Sequence, residues 1–225
     1  MKDIFIFGTN DFAQMLYWNI QYQTKREFHV LGFVLDDSYY ESKHCCGLDV
    51  FPYSKILMET TVRNIFICVG YRRMNQNRKD IFERLLKDGW HFPNYIDETA
   101  SVRTDYIGMG NIIFEGARLS IQSSIGNGNI FYPNSHLAHH STMGDFNYVA
   151  ICASISGHVE VGNCCFFGAN SCTRDKIRIQ DRSLLGAGCY LSKSTDHPDG
   201  VYVPPRSIEL QLGCPAGQAA EACGI

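Results

Sequence analysis

Ile107-Gly-Met-Gly-Asn-Ile-Ile113-Phe-Glu-Gly-Ala-Arg-Leu119-Ser-Ile-Gln-Ser-Ser-Ile125-Gly-Asn-Gly-Asn-Ile-Phe131 brings back a large apolar residue at every sixth position. The beat continues without insertion through Leu137, Met143, Val149, Ile155, Val161, Phe167, Thr173, Ile179, Leu185 and Leu191, and of these only Thr173 is not apolar. Four residues after each beat the side chain is small or narrow, as at Asn111, Ala117, Ser123, Asn129, Ser135 and Ser141, with Ile177 the bulky exception. A period of six fits neither a helix nor an alternating strand. It fits a chain wound as a triangular prism, with one short strand on each side. The large residue fills the interior and the small one sits where the chain turns a corner. Eighteen residues then complete a coil, and Gly108, Gly126, Gly144 and Gly162 recur on that longer period, where a corner leaves no room for a Cβ. Residues 94–205 are therefore expected to form a left-handed parallel β-helix. By analogy with other solenoids of this type, a homotrimer is expected to cover its faces.

Residues 1–93 follow a different rhythm. Asp3-Ile-Phe-Ile-Phe7 reads as a buried strand ending at Gly8, and Thr9-Asn-Asp11 supplies cap-type residues before the helical spacing of Phe12, Met15, Leu16 and Ile20. A second strand is predicted over His29–Leu35, ending in Asp36-Asp37, and a third over Asn64–Val69, ending in Gly70. A helix is predicted over Arg78–Lys87, with Ile81, Phe82, Leu85 and Leu86 inward and Gly89 as its stop. Strands alternating with helices imply a Rossmann-like α/β domain with a parallel sheet. The first turn, Gly8-Thr-Asn-Asp-Phe-Ala13, has asparagine in place of the middle glycine of the dinucleotide fingerprint, so it argues little for NAD. Gly8, Asn10, Asp36, Asp37, Gly70 and Arg72 cluster at strand C-termini, where sheets of this kind hold ligands; the other reading is that they are ordinary turn residues. Arg72 or Arg73 offers a guanidinium for a diphosphate.

The whole chain has 225 residues and a net charge of -3, which gives no basic footprint for nucleic acid. No apolar run is long enough to span a membrane and no signal-peptide pattern opens the sequence, so a cytoplasmic location is expected. The ten cysteines lack CxxC or recurring spacing and are expected to be reduced. The tail, residues 206–225, shows no period and is expected to be irregular.

A small Rossmann-like domain followed by hexapeptide repeats, with Leu137-Ala-His-His-Ser-Thr-Met-Gly-Asp145 in the third coil, resembles the bacterial sugar acyltransferases. These include the bacillosamine N-acetyltransferases and the sialic acid O-acetyltransferases. Ser156-Gly-His-Val-Glu-Val-Gly-Asn163 is similar to a stretch of the lipid A UDP-N-acetylglucosamine acyltransferases. The resemblance implies that the N-terminal domain holds a nucleotide-linked sugar and the prism holds acetyl-CoA between subunits. It also implies a histidine general base, here His139, and a glycine N–H as oxyanion hole, here Gly157.

The residues themselves support these roles. His139 lies two places after the inward Leu137 and should point outward, and imidazole suits proton removal near neutral pH. Gly157 lies eighteen residues on and should sit one coil above His139, where it either donates to an oxyanion or merely eases a corner. By the same count His140 stacks under His158, so at least one of these imidazoles should be neutral. Relatives carry Asp or Glu after the catalytic histidine, and His140 occupies that place. Lys176, with Arg174, Arg178 and Lys193, offers cations for coenzyme A phosphates, unless the face is simply solvated. Gly168, Ala169, Gly186 and Ala187 leave a flat track for a pantetheine arm, and His158 is a further candidate for contact with coenzyme A.

The expected function is acetyl-CoA-dependent N-acetylation of a nucleotide-linked amino sugar for a surface polysaccharide or glycan. The alternatives are sugar O-acetylation and a catalytically silent β-helix that binds a nucleotide sugar. A zinc site shared between subunits, using His136, His139, His140 and His158, is the rival enzyme class, and no metal is expected.

Overall fold

The computed structural model describes residues 1–41 and 44–205. The expected tail, 206–225, lies outside the described residues.

The N-terminal part is a five-stranded sheet. It consists of β1 (Lys2–Phe7), β2 (Phe28–Leu35), β3 (His44–Cys45), β4 (Leu48–Pro52) and β5 (Ile65–Ile67), in the order β3-β4-β2-β1-β5. All pairs are parallel except β3–β4, a hairpin whose turn holds Cys46 and Gly47 at positive φ. Helix α1 (Asp11–Tyr22) starts as the capping residues predict, with Asn10 Oδ1 accepting from Ala13 N–H at 3.0 Å. Helix α2 (Tyr53–Glu59) and the β3–β4 hairpin have weaker patterns and are not foreseen in the sequence. Helix α3 (Gln76–Lys87) differs from its predicted face: it buries Arg78, Phe82 and Leu85, while Leu86 is exposed. The apolar spacing pointed there only in part, because a charged residue supplies the third buried position.

From Tyr95 onward the chain winds as the six-residue period predicts, as a left-handed parallel β-helix. Its three faces carry seven, six and five strands. The first face runs from Tyr95–Ile96 through Ile130–Phe131 and Tyr148–Val149 to Val201–Tyr202. The second includes Arg118–Leu119, His136–Leu137, Ser154–Ile155 and Cys172–Thr173. The third includes Ser124–Ile125, Thr142–Met143, Glu160–Val161 and Arg178–Ile179. Register is eighteen residues throughout, as in Leu119↔Leu137↔Ile155. The beat residues from Ile113 to Leu191 are all buried, and each Leu, Ile or Phe among them contributes about 1.5–3 kcal/mol. Thr173 keeps its place inside because its hydroxyl accepts from Ser156 N–H at 3.0 Å.

The small positions form polar ladders up the prism. Asn111, Asn129 and Asn147 each present a side-chain carbonyl to the backbone N–H one coil above, and Cys165 N–H ends the series by donating to Asn147 at 2.7 Å. A second ladder runs through Asn127, Asp145, Asn163 and Asp181. Gly126, Gly144 and Gly162 sit under it, and a Cβ at any of them would strike the Asn or Asp above. The eight described cysteines are free, and burial pushes the Cys165 thiol up to about 12.

The sheet and the prism share one interface. Phe12, Ile4 and Phe66 pack in a common cluster with Ile112, Phe114, Ile130 and Tyr148 of the first face. Arg78 crosses that interface fully buried. It donates to Phe146 O at 2.9 Å, Gly128 O at 3.1 Å and Asn147 O at 3.3 Å on the prism, and to Asn75 Oδ1 at 3.0 Å and Val69 O at 3.3 Å on its own side. Burial lowers its pKa to about 10, so it stays charged at neutral pH. Asn75 adds Nδ2 to Cys165 O at 3.1 Å.

Candidate active site

Two candidate sites of different chemistry stand on different parts of the molecule. The first is a cleft of about 1080 Å³ between the C-terminal ends of β1, β2 and β5 and the first face. Gly8, Asn10, Asp36, Gly70 and Arg72 all line it, as the sequence predicts. Asp37 does not: its carboxylate turns away and accepts from Ser54 N–H at 3.1 Å, which holds it below the ordinary carboxylate range. The reason is local, since Asp37 opens a 3-10 turn and satisfies the first N–H groups of α2 instead of facing the cleft. Asn10 is occupied as a cap and through Nδ2 to Cys68 O at 3.1 Å, so it shapes the cleft floor more than it offers a free group. Asp36 accepts from Arg84 at 2.6 Å. Arg72 is exposed, whereas Arg73 turns to Asp80 and Asn77.

The wall of the cleft opposite the sheet is aromatic. Tyr132 and Tyr148 line it at a ring separation of 5.0 Å, Tyr148 stacks on Phe166 at 5.3 Å, and Tyr71 leans on both Tyr148 and Phe166. Sequence reading passes over this platform and over Arg78. The signal was present, because Phe114/Tyr132 and Tyr148/Phe166 are pairs eighteen residues apart. The loop that carries Tyr71 and Arg72 continues through Arg73, Met74 and Asn75, all at positive φ, a costly conformation held by the buried Asn75 contacts.

The second is the exposed corner between the second and third faces. His139 projects into solvent there, and His140 and His158 occupy left-handed corner positions at φ 58° and 57°. The eighteen-residue count holds: His140 and His158 stack at 4.5 Å with 14° between planes. His139 stands at 88° to both, and its Nδ1 lies 2.9 Å from Nδ1 of His140. Gly157 lies against the His139 ring, so that an added Cβ would come within 2.8 Å of Cε1 and 3.0 Å of Nε2. Its N–H donates to no group among the described residues, while Gly157 O accepts from Lys176 N–H at 3.0 Å. Desolvation, then His140, His139 and Lys176, hold the His158 imidazole below its ordinary value. His136 is half-buried on the second face, bonded to Ser120 Oγ at 3.0 Å, with its pKa lowered by burial and by Arg118 and His139.

The predicted acyl-donor residues divide between two corners. His158 and Lys176 stack at the corner beside His139. Gly168, Ala169, Gly186 and Ala187 lie at the corner between the first and second faces, so one chain does not bring the two sets together. At Gly168 a Cβ would meet Ala187 N at 2.5 Å, so coil packing alone accounts for that glycine.

No protein-family model matches the chain. Solved structures do resemble it. The acetyltransferase domain of PglB from Neisseria gonorrhoeae aligns over 91% of this chain and 97% of its own, at 19% identity and a TM-score of 0.75. PerB from Caulobacter crescentus, solved with CoA and GDP-perosamine, aligns over 91% and 95%, at 19% identity and a TM-score of 0.79. WeeI from Acinetobacter baumannii aligns over 86% and 93%, at 17% identity and a TM-score of 0.64. The fold is shared. Both halves of the chain are aligned in each, so the Rossmann-like sheet and the β-helix form one architecture with these proteins.

Proposed function

We propose that this chain is an acetyltransferase that moves the acetyl group of acetyl-CoA to the amine of a nucleotide-linked sugar, for a surface polysaccharide or glycan. Residues 1–93 take the nucleotide sugar and residues 94–205 carry the transfer. The observation that carries this reading is the contact between the His139 imidazole and Gly157, which sets a base beside a backbone N–H that has no partner among the described residues. The fold likeness to PerB, solved with CoA and GDP-perosamine, and to the PglB acetyltransferase domain, solved with acetyl coenzyme A, supports it.

In this reading Nε2 of His139 takes the amine proton. That requires Nδ1 to carry hydrogen and donate it to Nδ1 of His140, 2.9 Å away, so His140 is the Nε2–H tautomer. His140 thus orients the base where relatives use a carboxylate, and as a neutral acceptor it lends the imidazolium less support than an anion does. Acetyl-CoA supplies the thioester. As the amine nitrogen bonds to the thioester carbon, the Gly157 N–H stabilises the charge gathering on oxygen. The C–S bond then breaks, and His139 returns its proton to the leaving thiolate. In the cleft, the N-terminus of α1 and Arg72 offer donors for a diphosphate, and Tyr132 and Tyr148 offer a platform for a sugar or base.

The cleft lies on the first face, and His139 lies at the corner opposite it. One chain therefore does not bring its own cleft to its own base. This supports a homotrimer in which the cleft of one copy meets His139 of the next, and in which His158 and Lys176 of one corner meet the Gly168–Ala187 corner of a neighbour. Acetyl-CoA and nucleotide sugars are cytoplasmic metabolites, and no described helix is long and apolar enough to cross a membrane, which supports action in the cytoplasm.

Thiol release from acetyl-CoA, measured with UDP-, dTDP- and GDP-linked amino sugars beside a His139→Ala control, tests the proposal. Release that needs one sugar and is lost in the control is the expected result. No release from any amino sugar overturns N-acetylation.

A further inference from the structure

One cluster in the described residues has the composition of a metal centre. His139, His140 and His158 each offer a ring nitrogen, and these nitrogens all lie within 4.8 Å of one another. No other set of three His, Cys, Asp or Glu donors gathers so closely among the described residues. Their placement follows from the coil geometry. The left-handed corners at His140 and His158 put one ring over the other, and His158 N–H donates to His139 O at 3.0 Å, which locks the two coils in register. His139, the residue before His140, turns its ring at right angles and closes the third side.

We propose that these three imidazoles form a binding site for one borderline divalent cation of the zinc, copper or nickel class. The donor set decides the class, since imidazole nitrogen suits these ions and the oxygen-seeking magnesium and calcium disfavour it. An ion with bonds of about 2.0–2.1 Å in tetrahedral geometry sets its ligand nitrogens roughly 3.3–3.4 Å apart. The His139–His140 pair, at 2.9 Å, opens slightly to meet this, and the His158 nitrogen, within 4.8 Å of both, settles to the same spacing. All three rings are exposed, so rotation about their side-chain torsions is enough. The fourth coordination place faces solvent and takes water. All three ligands come from two successive coils of a single chain. The arrangement therefore differs from the inter-subunit zinc site that the sequence brings to mind, and His136 has no part in it. Where His139 serves as the base, the ion competes for its lone pair; that consequence rests on the acetyltransferase reading, and the binding itself does not.

Cobalt(II) is the probe, because its ligand-field absorption reports a nitrogen-bound, low-coordinate site. The tag-free full chain is titrated with cobalt(II) and then with zinc(II). The expected result is one equivalent bound per chain, displaced by zinc, with no thiolate charge-transfer band in the near ultraviolet. His140→Asn and His158→Asn each remove a ligand while suiting the left-handed corner, so the fold is kept, as circular dichroism checks. Each should weaken cobalt binding by at least about tenfold, since losing even a supporting partner of a metal ligand costs about 10–100-fold. His136→Ala should leave the affinity unchanged. No ligand-field band in the wild type, wild-type affinity in either asparagine variant, or a thiolate band each overturns the site. The measurement uses neither acyl donor nor sugar, so its failure is separate from failure of the acetyltransferase reading.

Discussion

Gly157→Ala separates the base from the oxyanion donor in a way that deleting His139 does not. The backbone at Gly157 is outside the left-handed region, so alanine is acceptable there, and the N–H stays in place. The new methyl would stand 2.8 Å from Cε1 of His139 and 3.0 Å from Nε2. Ordinary carbon contacts are about 3.5–4.0 Å, so the ring must retreat by roughly half an ångström or more. The ring is exposed and free to move, so stability should change by less than about 1 kcal/mol. Catalysis is less tolerant, because a misplacement of about 1 Å costs on the order of 100-fold. We expect kcat to fall by about 10- to 100-fold, with the KM for acetyl-CoA little changed and the melting temperature within about 3 °C. Steady-state thiol release and a thermal melt on the same preparation give all three numbers. Wild-type kcat in this variant would refute the idea that the His139 ring must lie against Gly157 for the transfer to proceed.

Arg78→Met leaves the carbonyls of Gly128 and Phe146 without their donor at the interface between sheet and prism, and leaves Asn147 O with the Ile130 N–H alone, and should destabilise the chain by about 3–5 kcal/mol. Calorimetry or a thermal melt should show a midpoint lower by about 10 °C, and an unchanged midpoint would show that the strut is dispensable. Mixed oligomers of His139→Ala chains and chains with an Arg72→Glu cleft should regain activity that neither parent has; additive inactivity in the mixture argues against a site shared between copies. Stability should decline as pH falls through about 6.5. Both His136 and His158 have lowered pKa values, so the unfolded chain binds more protons than the folded one between their folded values and about 6.5. Their contribution is thus complete above that window and lost below it. Denaturant midpoints across the window check this, and His136→Ala should flatten the slope.

The β-helix was legible because its rule is local and repeats. Each coil buries the same positions, so a beat of six residues in the sequence is also the spatial repeat, and counting eighteen places residue over residue. The stack of His140 on His158 and the contact of His139 with Gly157 both follow from that arithmetic. The Rossmann-like part was legible in outline only, since β1, α1 and β2 carry clear patterns while the β3–β4 hairpin and α2 are too short to show a period. Asp37 went astray for a related reason: Asp36 and Asp37 look alike in the sequence, and one residue of chain decides which faces the cleft and which caps the helix that follows.

What the sequence by itself determined is the period, the direction of every interior side chain in the prism, and the column of residues above His139, because a regular winding converts sequence separation into distance. Only the tertiary structure decided how the two halves meet. The buried Arg78 and the placing of the cleft on the face opposite His139 depend on packing between elements far apart in the chain. Such contacts are set by the shapes of two finished surfaces, and no spacing within either segment encodes them.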